Sequence, residues 1–313
     1  MSGVPLETLS PRLDSFFGVP SFGPDPSMSR FVPQAYARPG YGGLEGFEPA
    51  FRSLFNGLMV RGSPTVHRAF AAAFPSVDVI QTFLSEAETG DLLFVHHAVD
   101  LRNGTPEGTP DGTWVDPEMA ARPLVPQQRE ALRERGLSVY ACHAPLDIHP
   151  EVSTSAAMVE RLGGTTEARF FPYGPGTAGI VCRIPQLDWP EFLRRVAEQF
   201  HVPFLEKKGG SPPSVERIAV VGGCGDRVEE MVRAQGLGVD VYLTGELHLR
   251  WEGERGRSNF RDVERLARSS RMALLGCSHA ASEHAVMETG VPGLFQREFG
   301  LKVRAIPEPV WWR

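Results

Sequence analysis

The residues best equipped for chemistry in this 313-residue chain are its histidines, and five of the nine stand at the ends of apolar runs. DLLFV leads into His96 and His97, LSVYAC into His143, DVYLTGEL into His248 and MALLGCS into His279. Open α/β sheets collect ligands at the ends of their strands, so this recurring arrangement is the strongest chemical signal in the sequence.

Neutral imidazole is the commonest metal-ligand type. Neighbouring side chains of a strand point to opposite faces, so His96 and His97 would not serve one ion; diverging from a strand end, each can serve one ion of a pair. Alone, the pair also fits a surface histidine beside a hydrogen-bonded core histidine. In CSHAASEHAVMETG, His279 and Glu283 are four residues apart, which puts both on one helix face, with Ser278 placed as N-cap. An exposed helix pair is the plainer alternative. In ACHAPLDIHPE, His143 and Asp147 follow a third apolar run, and Pro145 and Pro150 keep the segment from being a regular helix.

His96, His97, Asp147, His279 and Glu283 together make a nitrogen and oxygen donor set suited to Zn, Fe, Mn or Ni, and without thiolate it selects none of them. Glu246 of TGELH could orient a ligating histidine, act as general base or touch substrate, or simply be a polar strand end. Cys142 and Cys277 adjoin His143 and Ser278 but read as small packing residues.

Two other motifs compete for attention. GGCGD (222–226) lacks the third glycine of G-x-G-x-x-G and any G-K-[ST], so it reads as a tight turn approaching a ligand. GCSHA (276–280) imitates a nucleophile elbow, yet no aspartate follows Ser278, and His279 and His284 are too near to fold back as its base.

These residues need elements to hold them. Short apolar runs alternating with amphipathic stretches predict an α/β fold. Strands are expected at DLLFV, LSVYA, RIAVVGG, DVYLTG and MALLG, and helices at QQREALRERG, closed by Gly136, at RVEEMVRAQG and at FRDVERLARSS. Residues 1–45, rich in Pro, Gly and Ser, predict an irregular arm. A first α/β lobe over 46–205 and a second over 215–313 are expected, with a long loop at 102–119 and a linker at 206–214.

The net charge of −6, with both signs mixed along the chain, disfavours nucleic acid as a partner. Four scattered cysteines without C-x-x-C exclude a zinc ribbon or dithiol redox motif. With no basic leader and no apolar run near the ~20 residues of a membrane span, a cytoplasmic protein with reduced thiols is expected.

With these motifs assembled, the chain resembles the GTP cyclohydrolase 1 type 2-like, or Ngg-interacting-factor-three-like, family over about residues 50–305. DLLFVHHAVD is similar to its double-histidine segment, YACHAPLD to His-x-x-Leu-Asp, VDVYLTGE to Thr-Gly-Asp/Glu, and GCSHAASE to Gly-His-x-x-Ser-Glu. The resemblance implies two interlocked α/β lobes with mixed sheets and a dinuclear metal site in the cleft between them. It implies His96, His97, Asp147, His279 and Glu283 as ligands, Glu283 bridging, with His143 and Glu246 nearby as catalytic groups. It also implies two divalent ions per chain, a homohexamer, and hydrolysis of a nucleotide-like substrate by opening of the guanine imidazole ring of GTP. The rival is a non-catalytic metal-binding or regulatory protein or metal chaperone. Ala98 and Pro145 depart from the residues usual beside the ligands, and the first forty-odd residues have no counterpart.

Overall fold

The computed structural model describes residues 3–106 and 113–312, so 107–112 of the expected long loop lie outside the described residues. Two compact units interleave along the chain: the first comprises Met1–Leu101, Ala121–Val152 and Met287–Pro309, the second Arg102–Ala120, Ser153–Val286 and Val310–Arg313.

Among the described residues, eleven strands build the two larger sheets. In chain order they are β1 Gly57–Val60, β2 Ala69–Ala72, β3 Leu92–Val95 and β4 Ser138–Ala141. Then come β5 Thr165–Tyr173, β6 Gly176–Asp188, β7 Glu206–Gly209 and β8 Ser214–Cys224. Last are β9 Val241–Glu246, β10 Ala273–Gly276 and β11 Val303–Ala305.

The first unit's sheet has the order β11-β2-β3-β4-β1, parallel except for β1, which pairs antiparallel with β4. Every residue of β2, β3 and β4 is buried, as expected of central parallel strands covered on both faces. This is why DLLFV is a continuous apolar run rather than an alternating one. The second unit's sheet has the order β7-β10-β9-β8-β6-β5, with a parallel centre (β10-β9-β8) and antiparallel edges. Phe170, Val181, Ala219, Tyr242 and Leu274 form its core with residues of the 228–236 and 254–269 helices, Met231 and Val263 among them. The architecture is therefore the mixed α/β fold the sequence predicts.

The N-terminal segment corrects the expectation of an irregular arm. Leu6–Phe17 and Met28–Ala37 are helices, and Leu9, Leu13, Val32 and Tyr36 are buried. Phe17 packs on Phe94 of β3 at 5.9 Å between ring centroids, and Tyr140 of β4 donates a hydrogen bond to Asp14 at 2.7 Å. The glycines and prolines that suggest disorder act as punctuation instead: Gly18, at φ 66°, closes the first helix in the left-handed region that glycine tolerates.

The linear division at 205–215 is also replaced. Glu206–Gly209 is no linker but the edge strand β7, paired with β10, and β5 and β6 belong to the same sheet as β8–β10. Chain-end strand β11 returns to pair with β2 in the first unit. Sheet membership depends on long-range pairing, which local composition does not encode.

Candidate metal centre

In the first unit, the main chain past β3 continues the ladder: His96 N donates to Ala72 O at 3.1 Å and His97 N to Ala73 O at 2.9 Å. Both histidines are thus fixed at a buried strand end, 0% and 1% exposed. His96 Nδ1 lies 2.9 Å from the Cys142 carbonyl, which can only accept, so Nδ1 carries the proton and Nε2 keeps its lone pair. That Nε2 is 3.5 Å from Asp147 Oδ1. His97 stacks on Phe74 with 4.3 Å between centroids.

His143 completes the group. Its ring centroid is 4.8 Å from that of His96 and 4.7 Å from that of His97, and one ligand atom from each of the three rings lies within 4.8 Å of the others. Pro145 is the second residue of a single helical turn, Ala144–Asp147, with Pro150 beyond its end, and Asp147 N donates to His143 O at 3.1 Å. That turn brings Asp147 back beside the imidazoles.

Asp25 orients this group although nothing in the residue order marks it as a site residue. Fully buried, it accepts from His143 Nδ1 at Oδ2 (3.0 Å), from Ala144 N at 2.9 Å and from Met28 N at 2.8 Å. Burial alone would push its carboxyl up, but His143 and those backbone donors hold it well below the usual carboxylate range. An ionised Asp25 fixes His143 with Nε2 as the basic nitrogen. The one sequence signal for it is D-P-S ahead of the Met28–Ala37 helix, a capping pattern.

The second unit assembles a carboxylate-rich group. His279 and Glu283 lie on one face of the His279–Glu288 helix, with Nε2 to Oε1 at 2.9 Å. Glu246, ending β9, faces the other ring nitrogen, Nδ1, at 3.2 Å. Asn103 Nδ2 donates to the same Glu246 oxygen at 2.8 Å, and Trp251 Nε1 donates to Asn103 Oδ1 at 2.9 Å. Burial works against protonation of His279, yet Glu283 and Glu246 more than offset it and raise its pKa well above the usual value. Two carboxylates around one imidazole favour a positive charge there, which a proton or a cation can supply.

GGCGD is a cradle for these side chains rather than for phosphate. The β8 strand bulges between Val221 and Cys224, Gly223 sits at φ +68°, and its N–H donates to Ser282 Oγ at 3.0 Å. A Cβ at Gly223 would fall 2.5 Å from Glu283 Oε1 and 3.1 Å from His279 Nε2, so only glycine leaves room for them. Ser278, at φ 79°, has an elbow-like backbone, but its buried hydroxyl donates to Trp311 O at 2.5 Å and accepts from Ala281 N at 3.2 Å. It caps the helix that carries His279 and Glu283, and its hydroxyl is engaged on both sides. Burial pushes the Cys142 and Cys277 thiols up, as packing residues require.

The donors within each unit are buried nitrogen and oxygen atoms, and His96, His143 and His279 are oriented by Cys142 O, Asp25 and Glu246 on their other ring nitrogens, which fits a divalent metal. An α/β protein with buried histidine and carboxylate groups able to hold a metal ion is the class that fold and donors define. Among the described residues no helix is long and apolar enough to cross a membrane. The Duf34/NIF3 (NGG1p interacting factor 3) family model matches residues 54–309, and the chain belongs to that family.

Curated relatives carry the name GTP cyclohydrolase 1 type 2 homolog. One from Deinococcus radiodurans is 31% identical over 193 residues, covering 61% of this chain and 66% of the relative, just under two thirds of its length. Another, from Pyrococcus horikoshii, is 25% identical over 256 residues, covering 81% of this chain and 89% of the relative. Among solved structures, protein ybgI, described as of unknown function, matches at TM-score 0.62 and 17% identity over 99% of this chain and 100% of its own. TTHA1606 from Thermus thermophilus matches at TM-score 0.62 and 20% identity, over 98% of this chain and 99% of its own. At those identities the structural likeness shows the fold.

Proposed function

We propose that this protein is a metal-dependent hydrolase of a nucleotide-like substrate, with His96, His97, Asp147, His279 and Glu283 as ligands of two divalent cations per chain. The observation that carries it is the convergence of the buried imidazoles of His96, His97 and His143. Gathered away from solvent, the His96 and His97 rings offer nitrogens that a cation can take, with His143 beside them. Glu283, 2.9 Å from His279 Nε2, would supply a carboxylate ligand.

Two such cations supply Lewis acidity and bring the pKa of water toward ~7. His143, oriented by Asp25, can hold or return a proton at Nε2. Glu246, fixed by Asn103, can keep His279 in one orientation or accept a proton itself. On a guanine nucleotide the reaction is redox-neutral: water adds at C8, the C8–N9 bond breaks and N9 takes the proton. The relatives' name supports this substrate class, and self-association into a hexamer belongs to the same reading.

A non-catalytic metal store or chaperone is the second reading, favoured by how little of the donors is open to solvent, 0% for His96 and 3% for Glu283. Catalytic sites keep open coordination positions and structural ones are closed. Incubating metal-replete protein with GTP and following loss of the guanine absorbance separates the two. Turnover that disappears in His143→Ala while metal content holds supports the hydrolase; no turnover of any purine nucleotide at full metal occupancy supports the store.

A further inference from the structure

Within the second unit, a cavity of about 220 Å³ lies away from the His279 and Glu283 carboxylate group, between the start of β7 and the chain that follows β9. Glu206, Lys208, His248, Arg250 and Phe260 line it. It opens at the carboxyl ends of β9 and β10, the edge that also carries Glu246 and His279, and Glu206 pairs in register with Gly276, three residues before His279.

Its polar groups are built but incompletely matched. Arg250 is 2% exposed; Nη2 forms an ion pair with Glu206 Oε2 at 2.6 Å, while Nη1 has no hydrogen-bond partner among the described residues. His248 is 1% exposed, its Nε2 is 3.5 Å from Glu206 Oε1, and neither ring nitrogen makes a hydrogen bond among the described residues. Lys208 Nζ pairs with Glu264, lies 3.6 Å from Glu206 and projects over the Phe260 ring at 5.2 Å. A guanidinium nitrogen can only donate, so what it lacks is an acceptor.

The charges point the same way. Lys207, Lys208 and Arg250 line the cavity with Glu206, and Glu264, outside the lining, pairs with Lys208, so three cationic groups meet two carboxylates. Burial would raise Glu206, but His248 and Arg250 bring it down to about 2, so it stays charged and occupies one edge of the guanidinium, leaving the other. Phe260 packs edge-on to His248 at 4.7 Å and Trp114 stacks over it at 6.2 Å, so the imidazole is held in place.

We propose that this cavity binds the phosphate group of a small phosphorylated molecule, with Arg250 Nη1 and His248 as buried donors and Lys208 at the rim. Guanidinium donors and ammonium charge at a buried site are the usual means of holding phosphate. The inference deepens the nucleotide reading: the sequence has no phosphate-binding loop, and this cavity supplies the missing recognition on the edge that carries Glu246.

The test is isothermal titration of metal-replete wild type and of Glu283→Ala with inorganic phosphate, GMP and guanosine. Phosphate and GMP are expected to bind both proteins, guanosine at least tenfold more weakly than GMP. Arg250→Gln is expected to weaken phosphate and GMP tenfold or more, and Lys208→Gln, at a partly open position, about threefold with an unchanged melting temperature. Phosphate binding without any gain for GMP supports the site with free phosphate as its occupant. Absence of phosphate and GMP binding to folded wild type overturns the proposal, as does binding that Lys208→Gln and a folded Arg250→Gln both leave unchanged. Intact phosphate binding without ring opening sinks only the hydrolase reading; ring opening of guanosine and GMP at equal efficiency sinks only the phosphate site.

Discussion

His96, His97 and His143 meet because separate stretches of chain are brought together, whereas His279 and Glu283 need only one turn of a single helix. The first group depends on parallel pairing of β3 with β2 and β4 and on an N-terminal aspartate more than a hundred residues from its partner: Asp25 and His143 are 118 apart. The second depends on local spacing, on one glycine that makes room, and on Glu246 at a neighbouring strand end. The group made by long-range packing is nitrogen-rich; the one made on a helix is carboxylate-rich. The difference predicts where each is vulnerable.

The largest effect is expected from His96→Ala. It removes a fully buried donor whose tautomer is fixed by Cys142 O, and metal affinity should fall on the order of 10³-fold, more than the 10–100-fold typical of a residue that only orients a ligand. Competition with a chromophoric chelator measures it; an unchanged affinity would remove His96 from the ligand set.

Acid stability separates the units next. Glu206 in the second unit has a folded pKa of about 2 against roughly 4.3 unfolded, so its contribution is fully present above pH ~4.3 and is lost as pH falls toward 2. The loss should amount to roughly 3 kcal/mol over that window. Asp25, also depressed, gives the first unit the same sign. Urea unfolding between pH 2.5 and 5 should show a shallower dependence in Glu206→Gln, even though that variant is less stable at pH 7 because Arg250 is left buried without its carboxylate. An identical slope would show that the ion pair does not form.

Asp25→Ala should lower metal affinity or activity 10–100-fold by releasing His143, and Asp25→Asn, which keeps an acceptor, should lose less. Equal effects of the two substitutions would mean that the charge of Asp25, not its acceptor, governs His143. Smallest is Gly223→Ala. The positive φ should cost about 1–2 kcal/mol, and the new methyl group should displace Glu283, lowering metal content more than overall stability. A variant with full metal content would mean that Glu283 has room to move.

Much of this was legible from residue order, because strand ends and helix spacing are local features. The buried runs DLLFV and SVYA announce parallel strands, and S-H-A-A-S-E places imidazole and carboxylate on one helix face. Asp25 was not legible, since a Pro- and Gly-rich segment looks irregular until Leu9, Leu13 and Phe17 are seen burying one helical face. Nor was β7: EKKG has poor strand propensity and exists as an edge strand because β10 offers it a ladder. Asn103 and Trp251 escaped notice for the same reason, as their link to Glu246 closes a span of 143 residues in the case of Asn103.

Metal content per chain, by elemental analysis of wild type and Glu283→Ala purified without affinity-tag nickel, is the most direct measurement. Two ions per chain in wild type, falling sharply in Glu283→Ala, is the predicted result. Zero or one ion, with no dependence on Glu283, would contradict a dinuclear centre, and the hydrolase built on it would go with it.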